Sequence, residues 1–367
     1  MHTKKAKRER GRTATAFFRH KLGKVGLWIL VVLYAGALLA DFISPYSYAA
    51  TREDAVYAAP SRVRYVHEGR FIGPFVYGMS KSRNPETFRL EYREDRTTPY
   101  HVKFFVRGDP YVFLGIRSDL HLFGLGNDSP ACLYLFGGDQ FGRDLFSRLA
   151  AGSRVSLSAG VVGTLLSVVI GALIGAVSGY YGGWVDVVIQ RLMEVLRSFP
   201  RIPLWLALAA IIPPTWPSTY LYFGIVIVLS FIGWMGVARV VRGMTLSLRE
   251  KEFVLAAKAA GTRPLAIIVK HIIPNTASYL VVVATLSVPS MILGESTISF
   301  LGLGIKEPMT SWGLLLKNAQ SVNAIQSHPW LMIPGAFIML AVLSFNFVGD
   351  ALRDALDPYG TVDKLEA

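Results

Sequence analysis

Asp186, Arg191, Glu194, Arg197 and Arg201 stand three to five residues apart inside a stretch that is otherwise apolar. At that spacing the side chains of a helix share a face. Charges on an apolar helix normally line a wet cavity or meet a partner, because hydrocarbon does not solvate them. Asp186, Arg191, Glu194 and Arg197 are therefore candidate residues of a solute pathway or gate, with a plain cytoplasmic face as the alternative. Bond-making chemistry has no comparable signature. The sequence contains no Gly-x-x-x-x-Gly-Lys-[Ser/Thr] phosphate loop, so nucleotide is handled by another chain. His67-Glu68 is followed by Phe71 where a zinc-protease motif needs its second His. Cys132 is the only cysteine, which excludes an intrachain disulfide and a Cys-based metal site. No nucleophile, base and orienting group fall into a recognisable motif. No catalytic residue, metal site or bound cofactor is expected.

The second constellation is built for recognition. Glu252 to Asn275 is a polar, basic, helix-forming insert between two apolar stretches, so it lies at a membrane surface and faces something soluble. Strong helix formers run up to Ala260. Gly261 is placed to take φ > 0 after the helix end, and Thr262 is expected to cap a second helix that carries Pro264 in its first turn. The product is a bent elbow. Phe253, Ala256, Ala257 and Ala260 recur at i, i+3, i+4 and i+7, which predicts one face of mostly small side chains that a partner's groove can approach closely. Glu252, His271, Pro274 and Asn275 complete the candidate docking set.

These residues are positioned by a membrane-embedded frame. The chain has 367 residues, is 52% hydrophobic and has a mean hydropathy of +0.40, values of an integral membrane protein. Six apolar stretches approach or exceed the roughly 20 residues that a crossing needs: 25–43, 155–178, 185–212, 220–238, 276–294 and 331–349. The net charge of +13 raises the question of nucleic acid, and its location answers it. Residues 1–24 hold nine Lys/Arg against one acid, and residues 239–275 hold seven against two, which together equal the whole excess. Both segments flank spans, so they are assigned to the cytoplasm and to anionic lipid rather than to nucleic acid. Four spans separate them, an even number, and the C-terminus after the sixth is cytoplasmic as well.

The organisation follows. Residues 1–24 form a basic N-terminal segment and 25–43 the first span, read as uncleaved because its apolar run is longer than a signal-peptide core. Residues 44–135 are an extracytoplasmic insert, polar and aromatic, expected to hold short strands with turns at Asn84-Pro85 and Gly108-Asp109-Pro110. The core, 136–349, carries five spans and the loop 239–275, and 350–367 form a C-terminal tail. Asp139, Arg143 and Asp144 are expected to cap and cross-link the start of the second span. Gly163, Gly171, Gly175 and Gly179 suit close helix packing in lipid. Arg353 is expected to pair with Asp350 and Asp357.

Several of these stretches resemble one family. Ala256-Ala257, Gly261 and Pro274 hold the spacing of the cytoplasmic coupling loop of binding-protein-dependent ABC importer permeases, while Leu255, His271 and Ile273 depart from its usual Glu, Ile and Leu. Gly137 to Arg148, Gly179 to Asp186, Glu295 to Gly304 with Ser311-Trp312-Gly313, and Phe345 to Pro358 are similar to further segments of that family, in order. The matches cover most of residues 17–43 and 137–358 and resemble most specifically the C-type subunit of dipeptide, oligopeptide and nickel importers. The resemblance implies an all-α polytopic fold of six transmembrane helices, the type I importer (MetI-like) arrangement, here with a β-rich extracytoplasmic insert. It also implies a sibling permease, two cytoplasmic ATPase subunits that hold ATP and magnesium, and an external solute-binding protein. Peptide is the commonest cargo, with nickel or oligosaccharide as alternatives. An intramembrane enzyme would need catalytic residues within the spans, and a stand-alone channel has no need of a docking elbow.

Overall fold

The computed structural model describes residues 14–83, 90–113, 115–126 and 129–356. A helical turn at 14–19 precedes α1 (Lys21–Leu38), which is continued after a break at Leu39 by one turn, Ala40–Ile43. Strands β1 (Arg64–His67), β2 (Arg70–Arg83), β3 (Leu90–His101), β4 (Lys103–Phe113) and β5 (Ile116–Gly124) follow. The remainder is helical: α2 (Leu145–Tyr181), α3 (Gly183–Ser198), α4 (Arg201–Ala210), α5 (Ser218–Leu248), α6 (Glu252–Ala259), α7 (Pro264–Ile267), α8 (Ala277–Phe300), α9 (Trp312–Lys317), α10 (Val322–Ser327) and α11 (Ile333–Leu356). Two compact units form, one from residues up to 32, 157–298 and from 339 onward, the other from 33–156 and 299–338.

Among the described residues five helical segments are long and apolar enough to cross a membrane: Lys21–Leu38, Leu145–Tyr181, Ser218–Leu248, Ala277–Phe300 and Pro329–Leu356. They coincide with five of the six expected stretches. The sixth, 185–212, is not one helix. The residue before a proline is pushed out of the α region, and Phe199 before Pro200 has φ −84° and ψ 137°, so the chain divides into α3 and α4. At 1.5 Å per residue these are about 24 and 15 Å long, each short of a roughly 30 Å hydrocarbon layer.

In the unit holding residues 157–298, α2 and α5 meet backbone to backbone. Gly171, Gly175 and Gly179 are four apart on α2, and a Cβ on Gly175 would sit 2.4 Å from the Ala238 carbonyl oxygen of α5. Glycine is the side chain that fits there, and apolar helices in lipid gain their attraction from this close approach. Gly163 makes only ordinary contacts with Met291 and Ser230.

The strand-rich segment departs from the short strands expected. β1, β2 and β3 make an antiparallel sheet in that order, and β4 pairs with β5 as a separate hairpin. β2 has 14 residues and β3 has 12. Gly108-Asp109-Pro110 is not a turn between strands but lies inside β4, where the pairing with β5 shifts between Arg107 and Tyr111. A bulge absorbs the proline, which has no N–H to give the ladder. Phe75 and Val76 are buried, and Val76 joins Leu125, Ala131 and Leu133 in a small core. The expected turn at Asn84-Pro85, the basic residues 1–13 and the Arg353–Asp357 pair lie outside the described residues.

Candidate functional site

The elbow forms, and its inner face is nailed down. α6 ends at Ala259 with Ala260 as its C-cap, and Gly261 takes φ +75°. Its N–H donates to the Lys258 carbonyl at 3.0 Å, and the Thr262 N–H donates to the Ala257 carbonyl at 3.1 Å, the paired bonds of a Schellman ending. Thr262 is not the cap of the next helix. Pro264 at its first position holds Arg263 extended (φ −59°, ψ 138°), so Arg263 is the N-cap. After α7 the backbone widens into a π turn, Ile268–Ile272, in which the Ile273 N–H reaches the Ile268 carbonyl. Pro274 cannot donate in the next turn, and the Asn275 side-chain amide donates back to the His271 carbonyl at 2.6 Å.

Val254, Ile267, Ile268 and Ile272 are buried against Ala176 of α2 and Val237 and Val241 of α5. Each such side chain contributes about 1.5–3 kcal/mol of burial. The elbow is thus a rigid extension of the α2–α5 seam. Its outer face carries Glu252, Phe253, Leu255, Ala256, Ala260, Leu265 and Val269, all exposed. The small-residue face expected at Phe253, Ala256, Ala257 and Ala260 is divided by this arrangement. Ala257 is half-buried and packs on the inner cluster, while the other three face outward. His271 is half-buried, and Pro274 and Asn275 are exposed.

The charged stripe is divided too. Asp186, in the first turn of α3, is held bidentately by Arg242 of α5 through Nε and Nη2, each at 2.5 Å, and the Ser178 hydroxyl of α2 donates to its Oδ1 at 2.5 Å. Gln190 stands 3.4 Å from the same hydroxyl. A planar guanidinium matched to a carboxylate orients as well as attracts, so this contact fixes the start of α3 on the α2–α5 pair. Arg191 and Glu194 form their own 2.8 Å pair on the exposed side of α3, and Arg197 is exposed beside them. Arg201 lies on α4 with its guanidinium 4.4 Å from the Trp205 ring centroid. The structure brings Arg191 and Glu194 together and sets Asp186 apart.

At the start of α2, Asp144 accepts from the Ser147 N–H at 2.9 Å, and Asp139 accepts from the Arg143 N–H and from Nε, the latter at 2.7 Å. The expected cap and cross-link are both present. Arg148, 1% exposed, donates to Glu307 at 2.7 Å, and Arg143 reaches the same carboxylate at 3.0 Å.

Comparison with known proteins follows from this architecture. Residues 168–359 match the family described as binding-protein-dependent transport system inner membrane component, over half of the chain. The chain belongs to this family. Residues 11–60 of this inner membrane component match the N-terminal TM domain of oligopeptide transport permease C. The oligopeptide transport system permease protein OppC of Haemophilus influenzae is 47% identical over 226 residues, 61% of this chain and 70% of that one. The dipeptide transport system permease protein DppC of Alkalihalophilus pseudofirmus is 42% identical over 62% of this chain and 73% of its own. The OppC protein of Escherichia coli K12 is 45% identical over 61% and 72%. A chain of the inward-facing MetNI methionine ABC transporter aligns at 18% identity over 57% of this chain and 96% of its own with a TM-score of 0.44, a weak likeness.

In this permease-family chain, reasoning from sequence missed Arg242 as the partner of Asp186 and the joining of Arg143 and Arg148 by Glu307. Fifty-six residues separate the first pair and 159 the Arg148–Glu307 pair. Local periodicity carries no signal at such distances. In the sequence Arg242 figures only as one of the seven cations of residues 239–275.

Proposed function

We propose that the chain is one of two permease subunits of an ABC importer that takes up peptides delivered by an external binding protein. The observation that carries this reading is the elbow. Its inner face is built into the helix seam, while its outer face leaves Phe253, Leu255, Ala256 and Ala260 unsheltered at the end of α5. An exposed apolar surface that sets Phe253 and Leu255 beside two alanines on a rigid lever is a seat for a partner that pushes. The partner we infer is a cytoplasmic ATPase subunit, one for each permease. ATP and magnesium are then held there, and this chain binds no cofactor and catalyses no reaction itself.

Inward transport follows by alternating access. Closure of the ATPases moves the elbow; because Ile267, Ile268 and Ile272 share a core with Val237 and Val241, α5 and α2 move with it. In this reading α3 and α4 together supply the third of six passages, the elbow and both termini are cytoplasmic, and the strand-rich segment is external. The relatives' names favour di- and oligopeptides as cargo. The test is reconstitution of the chain with its sibling permease, ATPases and binding protein in liposomes. ATP-dependent peptide uptake is expected, with no ATPase activity from this chain alone. Hydrolysis by the isolated chain, or uptake of nickel or oligosaccharide but not peptide, would refute the corresponding part.

A further inference from the structure

Strand β4 exposes two aromatic residues in a row near its start. Phe104 and Phe105 are consecutive, and in a regular strand they would point to opposite faces. Both are 64% exposed. Phe105 has a φ of +52°, in the left-handed region that a bulky residue occupies only under constraint. The ladder holds on either side, pairing Phe104 with Phe123 and Val106 with His121. Two consecutive phenyl rings are thus exposed, with exposed Lys103 preceding them.

The hairpin that carries them is pinned to the end of α1. His121, 2% exposed, lies with Nδ1 2.5 Å from the Ser44 carbonyl oxygen and Nε2 2.9 Å from that of Asp109. The Ser47 N–H donates to the Asp109 carboxylate at 2.7 Å. The Phe105 ring centroid is 6.4 Å from that of Phe42, in the turn that continues α1. Polar groups beside Phe42 mark its depth. Arg154 donates to the carbonyls of Ala37 and Leu38 at 2.7 and 3.1 Å and pairs with Asp41 at 2.8 Å. Such a charged cap belongs where a helix leaves hydrocarbon for the headgroup layer. Leu38 and Leu39 are exposed one turn before half-buried Phe42, and the Phe105 ring stands beside Phe42.

We propose that Phe104 and Phe105 are a lipid anchor, a hairpin foot seated at the headgroup–acyl boundary beside the C-terminal end of α1. The occupant of this apolar surface is the bilayer. Aromatic rings favour that depth, and Lys103 meets anionic headgroups there. The anchor holds the strand-rich segment at a fixed height on the membrane. The proposal rests on α1 being a membrane span and not on the identity of the cargo.

The experiment uses the full chain with Cys132→Ser and Phe104→Cys, nitroxide-labelled, in nanodiscs of phosphatidylethanolamine and phosphatidylglycerol. Power-saturation spectroscopy should show the label colliding several-fold more with oxygen than with a water-soluble nickel chelate. A label at Val112→Cys, exposed further along the same strand, should show the reverse. Phe105→Cys provides a second reading if the first variant does not purify. Equal nickel access at 104 and 112 would overturn the proposal. Protection that arises only on adding the external binding protein would also overturn it, since the surface would then belong to that partner.

Discussion

Replacing Gly261 tests whether the elbow works through its shape. Its φ is +75°, and a Cβ built there meets nothing within 4 Å, so a substitution adds backbone strain without a clash. An L residue in the left-handed region costs about 1–2 kcal/mol, asparagine much less, and a β-branched residue more. Against this stand the two Schellman hydrogen bonds to Lys258 and Ala257, each contributing about 0.5–1.5 kcal/mol. Alanine is therefore near balance, and valine should break the turn and change the angle between α6 and α7. The buried isoleucines keep α7 in place, so the damage falls on the outer face and not on insertion. The assay is peptide uptake per ATP hydrolysed in reconstituted transporter, with expression and ATPase co-purification as controls. The expected order is Gly261→Asn close to wild type, Gly261→Ala reduced and Gly261→Val strongly uncoupled. Asparagine is larger than alanine, so an order that follows side-chain volume, with asparagine worse than alanine, would refute the argument from strain.

Other perturbations probe the neighbouring contacts. Ala256→Arg and Ala260→Arg project from the exposed face and should abolish co-purification of the ATPases from a chain that still folds; Ala257→Arg forces a charge onto the inner core and should instead lower the yield of folded protein. Equal behaviour of all three, by pull-down and size exclusion, would contradict the two-faced elbow. Arg242→Ala and Asp186→Ala should each destabilise the chain, and a double-mutant cycle by thermal unfolding in detergent should give a coupling of about 1–2 kcal/mol, as expected for a half-buried bidentate pair; a coupling near zero would show that the contact does not hold α3. If Arg191 and Glu194 line the pathway, cysteines there, in a Cys132→Ser background, should react with a soluble thiol reagent at rates that differ between nucleotide-free and ATP-trapped transporter. Equal rates would leave them on a static cytoplasmic face.

Much of the architecture was legible because its causes are local. A run of about 20 apolar residues favours a membrane-length helix by its own composition, so five helices long and apolar enough to cross stand where hydropathy puts them. Gly261 after an alanine-rich helix announces its own positive φ, and Asp139, Arg143 and Asp144 announce the cap of α2, since caps and turns close within four residues. The tertiary structure decided what depends on distant neighbours. Whether Ala257 looks outward with Phe253 or inward depends on where Val254 and Ile267 find a core, and periodicity on one helix cannot show it. Asp186 left the stripe that its spacing suggested because Arg242 and Ser178 solvate a carboxylate better than a shared helix face does. The stretch 185–212 has the composition of a span, yet Phe199 takes the extended conformation that a following proline favours, and α3 ends there. Phe105 is the extreme case. No local preference favours a left-handed phenylalanine; it stands within the pairing of β4 with β5, in a hairpin pinned at Ser44.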